Sequence, residues 1–194
     1  MARMVQATRP DWTGRTVVCI ASGPSLTKED CEAVHLSGHV TVVTNSTFRL
    51  CPWADVLFAH DSRWWRANPD AVQFRGRKIS GSSLARSLGV ESVFCSNWIS
   101  ARGNSGSSAI AIAVAGNASK IVLLGFDCSF DGDRKHWHAD HPHGMSNCQS
   151  IKSWPRQFEI AAKLAAKAGV PVINASRRTA LTCFERGDLE TVLQ

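Results

Sequence analysis

Residues 16–30 read Thr16-Val17-Val18-Cys19-Ile20-Ala21-Ser22-Gly23-Pro24-Ser25-Leu26-Thr27-Lys28-Glu29-Asp30. The first six form a short apolar, β-branched run, the pattern of a strand buried on both faces. Gly23-Pro24 breaks it. Thr27, with Asp30 three residues on, is a variant of the capping signature that opens a helix. The unit is strand, glycine loop, helix. Glycine lets a backbone approach a phosphate closely, and a helix N-terminus presents unpaired N–H groups and a positive dipole end. Ser22 and Ser25 add hydroxyl donors. The loop matches neither GxGxxG nor GxxxxGK[ST], which disfavours an ordinary dinucleotide site and a P-loop.

Working outward, strand-like runs recur at 40–44, 55–59, 78–80, 92–95, 121–124 and 170–174. Ser105 to Ala115, rich in Ala and Ile, reads as a tightly packed helix. Trp154 to Ala168 reads as an amphipathic helix, with Phe158, Ala161, Ala162, Leu164 and Ala165 at helical spacing and Gly169 as its stop. Strands alternating with helices predict an α/β fold: a single-domain, Rossmann-like, mostly parallel sheet with helices on both faces. The whole chain, 1–194, reads as one nucleotide-binding domain, with an N-terminal extension at 1–14 and a His-rich active-site loop at 129–150.

Parallel sheets bind ligands beyond the carboxyl ends of their strands. The polar residues that follow the strands are therefore expected to line one site: Ser22 to Ser25, Asn45, Asp61, Asn97, Asp127 and Asn174. A second glycine-bearing loop, Gly103-Asn104-Ser105-Gly106-Ser107-Ser108, opens a helix and offers N–H groups and hydroxyls to another phosphate or a ribose. The plainer reading of each loop is a tight turn or an N-cap; two such loops in one small fold point to a nucleotide.

The most unusual segment is His136-Trp137-His138-Ala139-Asp140-His141-Pro142-His143. It contains HxHxDH, a motif of metallo-β-lactamase-like hydrolases. Those enzymes carry it early and supply further ligands downstream, whereas no histidine follows His143 here. A separate zinc site built from the four histidines is one reading. The reading adopted is an active-site lid supplying a general base or a phosphate contact, because histidine titrates near neutral pH. Trp64, Trp65 and Trp137 read equally as a stacking platform or as core.

Charge and cysteine usage bound the class. A formal net charge of +6 attracts phosphate-bearing partners, nucleic acid among them. The seven cysteines include no CxxC pair, their number is odd, and most lie in apolar runs, which reads as reduced thiols in a cytoplasmic protein. The N-terminus lacks an apolar signal core, and no run approaches the roughly 18 apolar residues of a membrane span.

In order and spacing, Gly23-Pro24-Ser25-Leu26, Thr44-Asn45-Ser46, Asn104-Ser105-Gly106, Gly125-Phe126-Asp127, and Asn174 with the tail Ala180-Leu181 to Leu189-Glu190 resemble a known superfamily. It holds phage and bacterial proteins grouped with the archaeal 6-hydroxymethylpterin diphosphokinase (MptE-like) family. It is also similar to family-42 sialyltransferases and motility-accessory flagellin glycosyltransferases. The loop from Lys135 to Gly144 most resembles phage-encoded members. By the sialyltransferase resemblance, Gly23, Pro24, Ser25, Asn45, Asn104, Ser105 and Gly106 hold a cytidine nucleotide, and a late-loop histidine, His141 or His143, is the general base. That family's leaving-phosphate tyrosines have no counterpart, since this chain contains no tyrosine. By the diphosphokinase resemblance, carboxylates hold Mg²⁺ with ATP, and Asp61 and Asp127 are the available ones.

The sequence-based expectation is thus a nucleotide-dependent group transferase, a glycosyltransferase using a nucleotide-sugar donor. Its catalytic residues are His141, His143 and Asp61. Its nucleotide-binding residues are Ser22, Gly23, Pro24, Ser25, Asn45, Asn104, Ser105, Gly106 and Asp127, with no metal unless Asp61 and Asp127 hold Mg²⁺. The alternatives are a Mg-ATP diphosphokinase and a non-catalytic nucleotide or nucleic-acid binding module. Modified DNA is a conceivable acceptor; a homo-oligomer without membrane association, in the host cytoplasm if phage-encoded, completes the expectation.

Overall fold

A computed structural model describes residues 6–94, 96–99, 103–141, 145 and 148–194. The strands are β1 (Thr16–Ile20), β2 (Val40–Thr44), β3 (Val56–Ala59), β4 (Arg77–Ser80), β5 (Glu91–Ser92), β6 (Lys120–Leu124), β7 (Val172–Asn174) and β8 (Glu185–Arg186). They form one sheet in the order β5-β4-β3-β2-β1-β6-β7-β8, and every pairing between them is parallel. The helices are α1 (Lys28–Ser37), α2 (Ser62–Ala67), α3 (Ser105–Ala115), α4 (Trp154–Lys167) and α5 (Leu189–Val192).

The two faces of the sheet bury separate apolar clusters, as the strand period of two requires. Val17, Cys19, Val42, Phe58, Ile121 and Leu123 face Ile110 and Ile112 of α3 and Phe158 and Ala161 of α4. Their neighbours Val18, Ile20, Val43, Leu57, Val122 and Leu124 face Cys31 and Val34 of α1, the tryptophans of α2 and Val192 of α5. A continuous apolar strand is the sequence signature of this two-sided burial. α3 is buried along nearly its whole length, beneath α4; its Ala-rich sequence permits that close approach.

Capping sets the helix ends. Thr27 accepts from the Asp30 amide, and Gly38, at φ 67°, closes α1 in the left-handed conformation. Residues 6–13 are strapped to the domain: Ala7 is buried and donates to the Ser92 carbonyl, and Trp12 donates to the Gly116 carbonyl. Among the described residues, no helix is long and apolar enough to cross a membrane. The six described cysteines are free thiols; Cys95 lies outside the described residues.

Candidate functional site

The strand order reverses between β1 and β6. In open parallel sheets that point opens a crevice beyond the strand ends, the usual ligand position. Here two glycines pack backbone to backbone to form its floor. Gly23 donates to the Gly125 carbonyl over 2.8 Å. A Cβ on Gly23 would stand 2.2 Å from Asp127 Oδ1 and 2.5 Å from the Gly125 oxygen. Gly125 sits at φ 69°, with the Ala21 oxygen 2.5 Å from any Cβ.

A cleft of about 110 Å³ lies over this floor. It is lined by Ser22, Gly23 and Pro24 after β1, Asn45 after β2, Asn104, Ser105 and Gly106 opening α3, and Asp127 after β6. Eight of the nine residues read from the sequence as nucleotide-binding therefore share one cleft. A side lobe of about 340 Å³ shares Asn45 and Ser105 with it and is lined further by Asp61, Arg63, Trp64 and His141. The cleft alone has the size of a phosphate with a few waters; the lobe falls in the range of small-molecule sites.

Ser25 is the ninth residue, and its donors face inward. Its amide donates to Asp127 Oδ2 over 2.7 Å, and its hydroxyl donates to Oδ1 over 2.9 Å. Asp127 is 1% exposed. Its burial pushes the carboxyl above its ordinary range, and the Ser25 bonds and Arg178 only partly offset this. Asp127 thus staples the β1 loop to the β6 loop and leaves a costly carboxylate beside the cleft.

Asn104 also serves mainly within the protein. Its Oδ1 caps the Ser107 amide, and its amide and Nδ2 both donate to Gln157 Oε1. Ser105 Oγ accepts from the His60 amide and donates to Asn45 Oδ1. Open donors remain at the Asn45 side-chain nitrogen and at the Ser105 and Gly106 amides, which belong to the first turn of α3 and have no intrahelical acceptor. α1 is different: its N-terminal turn faces Arg177, which binds Asp30 over 2.8 Å. The helix end that opens onto the cleft is that of α3.

Asn45 holds φ 49°, a left-handed backbone unusual outside glycine. Such strain gathers at functional positions. Replacing Asn45 by glycine removes the amide and relieves the backbone, whereas alanine removes the amide and keeps the strain. We expect Asn45→Gly to retain wild-type stability within about 0.5 kcal/mol, and Asn45→Ala to lose about 1–2 kcal/mol. Both should lose ligand affinity equally. Urea unfolding and ligand titration of the two variants check this; an Asn45→Gly protein that binds as wild type would remove Asn45 from the site.

The loop after β6 covers the cleft. The Trp137 amide donates to the Ser22 carbonyl over 3.3 Å, and Arg134 donates to the Pro24 carbonyl over 3.3 Å. These bonds bring Lys135, His136 and Cys148 to the cleft lining, none of which the strand-end rule could reach. Lys135 pairs with Asp140 over 2.5 Å. Burial, with the neighbouring His138 and His141 charges, lowers His136 to about 4, so its imidazole is neutral at neutral pH. His143 lies outside the described residues.

Several expected contributors stand elsewhere. Asn174 is fully buried and bonded to Thr179 and the Ser176 amide, stabilising the turn after β7. Asn97 does not line the cleft or the lobe. Trp64 and Trp65 are 4% and 1% exposed and pack in the core, so the stacking platform is not built from Trp65; Trp64 borders the lobe with its indole N–H lacking an acceptor. Asp61 and Asp127 border different compartments. A larger concavity, about 1060 Å³, lies at the amino ends of β3 and β4 beside Trp53, Asp55 and Arg77, the end of a parallel sheet that ligands do not ordinarily use.

No protein-family model matches the chain, and no curated protein matches it in sequence. Among solved structures, AtPrR2 in apo form is similar at 14% identity and a TM-score of 0.26. That alignment covers 82% of this chain and 47% of the other, so this chain spans about half the length of that protein.

Proposed function

We propose that this chain is a group transferase that grips the phosphates of a nucleotide-activated small molecule, a nucleotide sugar, in the cleft between β1 and β6. The observation that carries this reading is the convergence of Gly23, Asn45, Ser105, Gly106 and Asp127 on one cleft at the strand-order reversal. Open N–H donors on α3 and Asn45, with Lys135 above them, suit a phosphate that gains charge as it departs. The adjoining lobe receives the acceptor. Its hydroxyl attacks the sugar carbon, the bond from that carbon to the phosphate oxygen breaks with its electron pair, and the proton passes to Asp61 or to a loop histidine bordering the lobe.

A second reading has its own observation. A buried carboxylate beside a phosphate site repels the ligand unless a proton or a cation neutralises it. Asp127 is such a group, which favours a Mg²⁺-assisted diphosphokinase using ATP. The separation of Asp61 and Asp127 into different compartments weighs against a shared ion.

Thermal-shift measurements with CMP- and UDP-linked sugars and with ATP, each with and without Mg²⁺, separate these readings. A ligand at about 100 times its Kd adds about 2.7 kcal/mol, or roughly 5–11 °C for a chain of this length. We expect nucleotide sugars to produce that rise without Mg²⁺. A rise with ATP that EDTA abolishes would favour the kinase. Salt-sensitive nucleic-acid binding with no nucleotide turned over would leave only the binding module.

A further inference from the structure

We infer that the outer face of α4 binds the phosphate backbone of double-stranded DNA. The inference goes beyond the reading of the cleft and does not rest on it.

α4 turns Phe158, Ala161 and Ala165 inward. Each residue advances about 100° around a helix, so the opposite face falls on Arg156, Lys163 and Lys167, which lie within about 40° of one another. Lys152 stands four residues ahead of Arg156, in the short 3-10 turn (Ile151–Ser153) that leads into the helix. All four cations are exposed. Among the described residues, none of them makes an ion pair or a side-chain hydrogen bond. The stretch 150–169 holds a single acidic residue, Glu159.

This placement costs the fold something. A solvated helix face mixes opposite charges four residues apart. Lys152 with Arg156, and Lys163 with Lys167, are like charges at that spacing, and like charges there repel. The first turn of α4 has no acidic residue, and Arg156 stands in it. A cation there opposes the positive end of the helix dipole. An anion laid along the face relieves both penalties.

The chemistry of the face selects the anion. From Lys152 to Lys167 the row is about 22 Å long. Duplex DNA carries one negative charge per about 1.7 Å of its axis, enough to meet every cation of such a row at once. A membrane-surface helix needs a broad apolar face, whereas the one large apolar side chain exposed on α4 is Ile160. Single strands are gripped by aromatic side chains that stack on bases, but Phe158 is buried and Trp154 lines the cleft. The 2′-hydroxyls of RNA call for polar partners, but Ser153 is spent on the Ser150 carbonyl and Gln157 on Asn104. Cations remain, and they hold phosphate without reading sequence.

Anisotropy of a short fluorescein-labelled DNA duplex, titrated with the full chain between about 50 and 200 mM NaCl, tests this. Four phosphate contacts give a slope of about −3.6 in log affinity against log salt, a loss of roughly 100-fold across that range. Lys163→Gln with Lys167→Gln should make the slope shallower by about 2 and weaken binding at least about tenfold at the lower salt. Arg15→Gln with Arg66→Gln removes the same charge elsewhere and should leave the slope unchanged. Arg156→Glu should weaken binding while its melting temperature holds or rises, since a carboxylate suits that helix end. Exposed substitutions of this kind leave folding intact. No binding to the duplex at about 50 mM salt overturns the inference. So does equal weakening by the two double variants, which would make net charge the cause. Tighter binding to single-stranded DNA, to duplex RNA or to vesicles of anionic lipid than to duplex DNA overturns it as well. Whether a nucleotide sugar stabilises the chain does not enter the result, so this inference and the reading of the cleft stand or fall separately.

Discussion

Gly23→Ala is expected to abolish ligand binding in the cleft and to lower the melting temperature of the protein. The added methyl has no place to go. One neighbour, Asp127 Oδ1, stands 2.2 Å from it, and the other, the Gly125 carbonyl, belongs to backbone. Asp127 cannot simply swing away, because both of its oxygens are held by Ser25. Gly125 is itself closely packed, with the Ala21 carbonyl oxygen 2.5 Å from where its own Cβ would stand. Overpacking of this kind costs about 1–3 kcal/mol, or roughly 2–12 °C in a chain of this length. The loss of binding should exceed what instability explains, because the shift moves the β1 and β6 loops apart at the floor of the cleft. Adding Asp127→Ala should recover only part of the stability, since the clash with the Gly125 oxygen remains. Calorimetry of the single and double variants, with ligand titration well below their melting points, provides the check.

The second large effect falls on Asp127 itself. Asp127→Ala strands the Ser25 amide and hydroxyl in a buried place and should cost about 1–3 kcal/mol. Asp127→Asn can keep both contacts: its oxygen accepts from the Ser25 amide, and its NH₂ donates to the Ser25 hydroxyl. It also removes a carboxylate whose ionisation burial opposes. At neutral pH the asparagine variant should therefore match or exceed the parent in stability. The pH dependence has a definite sign. The folded pKa of Asp127 lies above its unfolded value of 3.8, so the native state holds the proton more tightly. The ionised carboxylate penalises the fold above its folded pKa, and that penalty disappears as the pH falls through it. The stability advantage of Asp127→Asn should shrink on acidification toward pH 4. An advantage that grows toward low pH would mean that Asp127 is stabilised as a carboxylate. If the site uses a divalent ion, Asp127→Asn should lose the Mg²⁺ dependence of ligand binding while remaining folded.

Much of the fold could be read because its strands are buried on both faces. Val40–Thr44 and Ser105–Ala115 have the same bounds in the structure as in the sequence reading, for the first is a β-branched run and the second an Ala- and Ile-rich run opened by a glycine-serine loop. The final strand β8 is two exposed charged residues, Glu185 and Arg186, with no apolar signal. α2 is six residues long, and its Trp64-Trp65 pair carries no amphipathic period. Where the sequence reads a strand at 92–95, the structure has β5 at Glu91–Ser92, paired with Ile79 and Ser80 of β4 and followed by a last bond from the Val93 amide to the Ser80 carbonyl.

The site divides along the same line. Residues that follow strands were legible because parallel topology alone brings strand ends together. What could not be read depends on contacts far apart in the chain. Ser25 looks like a phosphate donor until Asp127, 102 residues away, is seen to take up both of its hydrogens. Lys135, His136 and Cys148 reach the cleft only because the loop after β6 folds back onto the Ser22 and Pro24 carbonyls. Composition flagged the histidines as unusual, but the stacking of His136 on His138, ring centres 4.8 Å apart, exists only in three dimensions.

The central claim is that the switch-point cleft holds a phosphorylated ligand on the open amides of α3. The most direct measurement is a crystal structure of the chain bound to a nucleotide sugar. The account predicts phosphate oxygens within hydrogen-bond distance of the Ser105 and Gly106 amides and the Asn45 side-chain nitrogen. A ligand seated instead in the groove at the amino ends of β3 and β4, against Trp53 and Arg77, would contradict it.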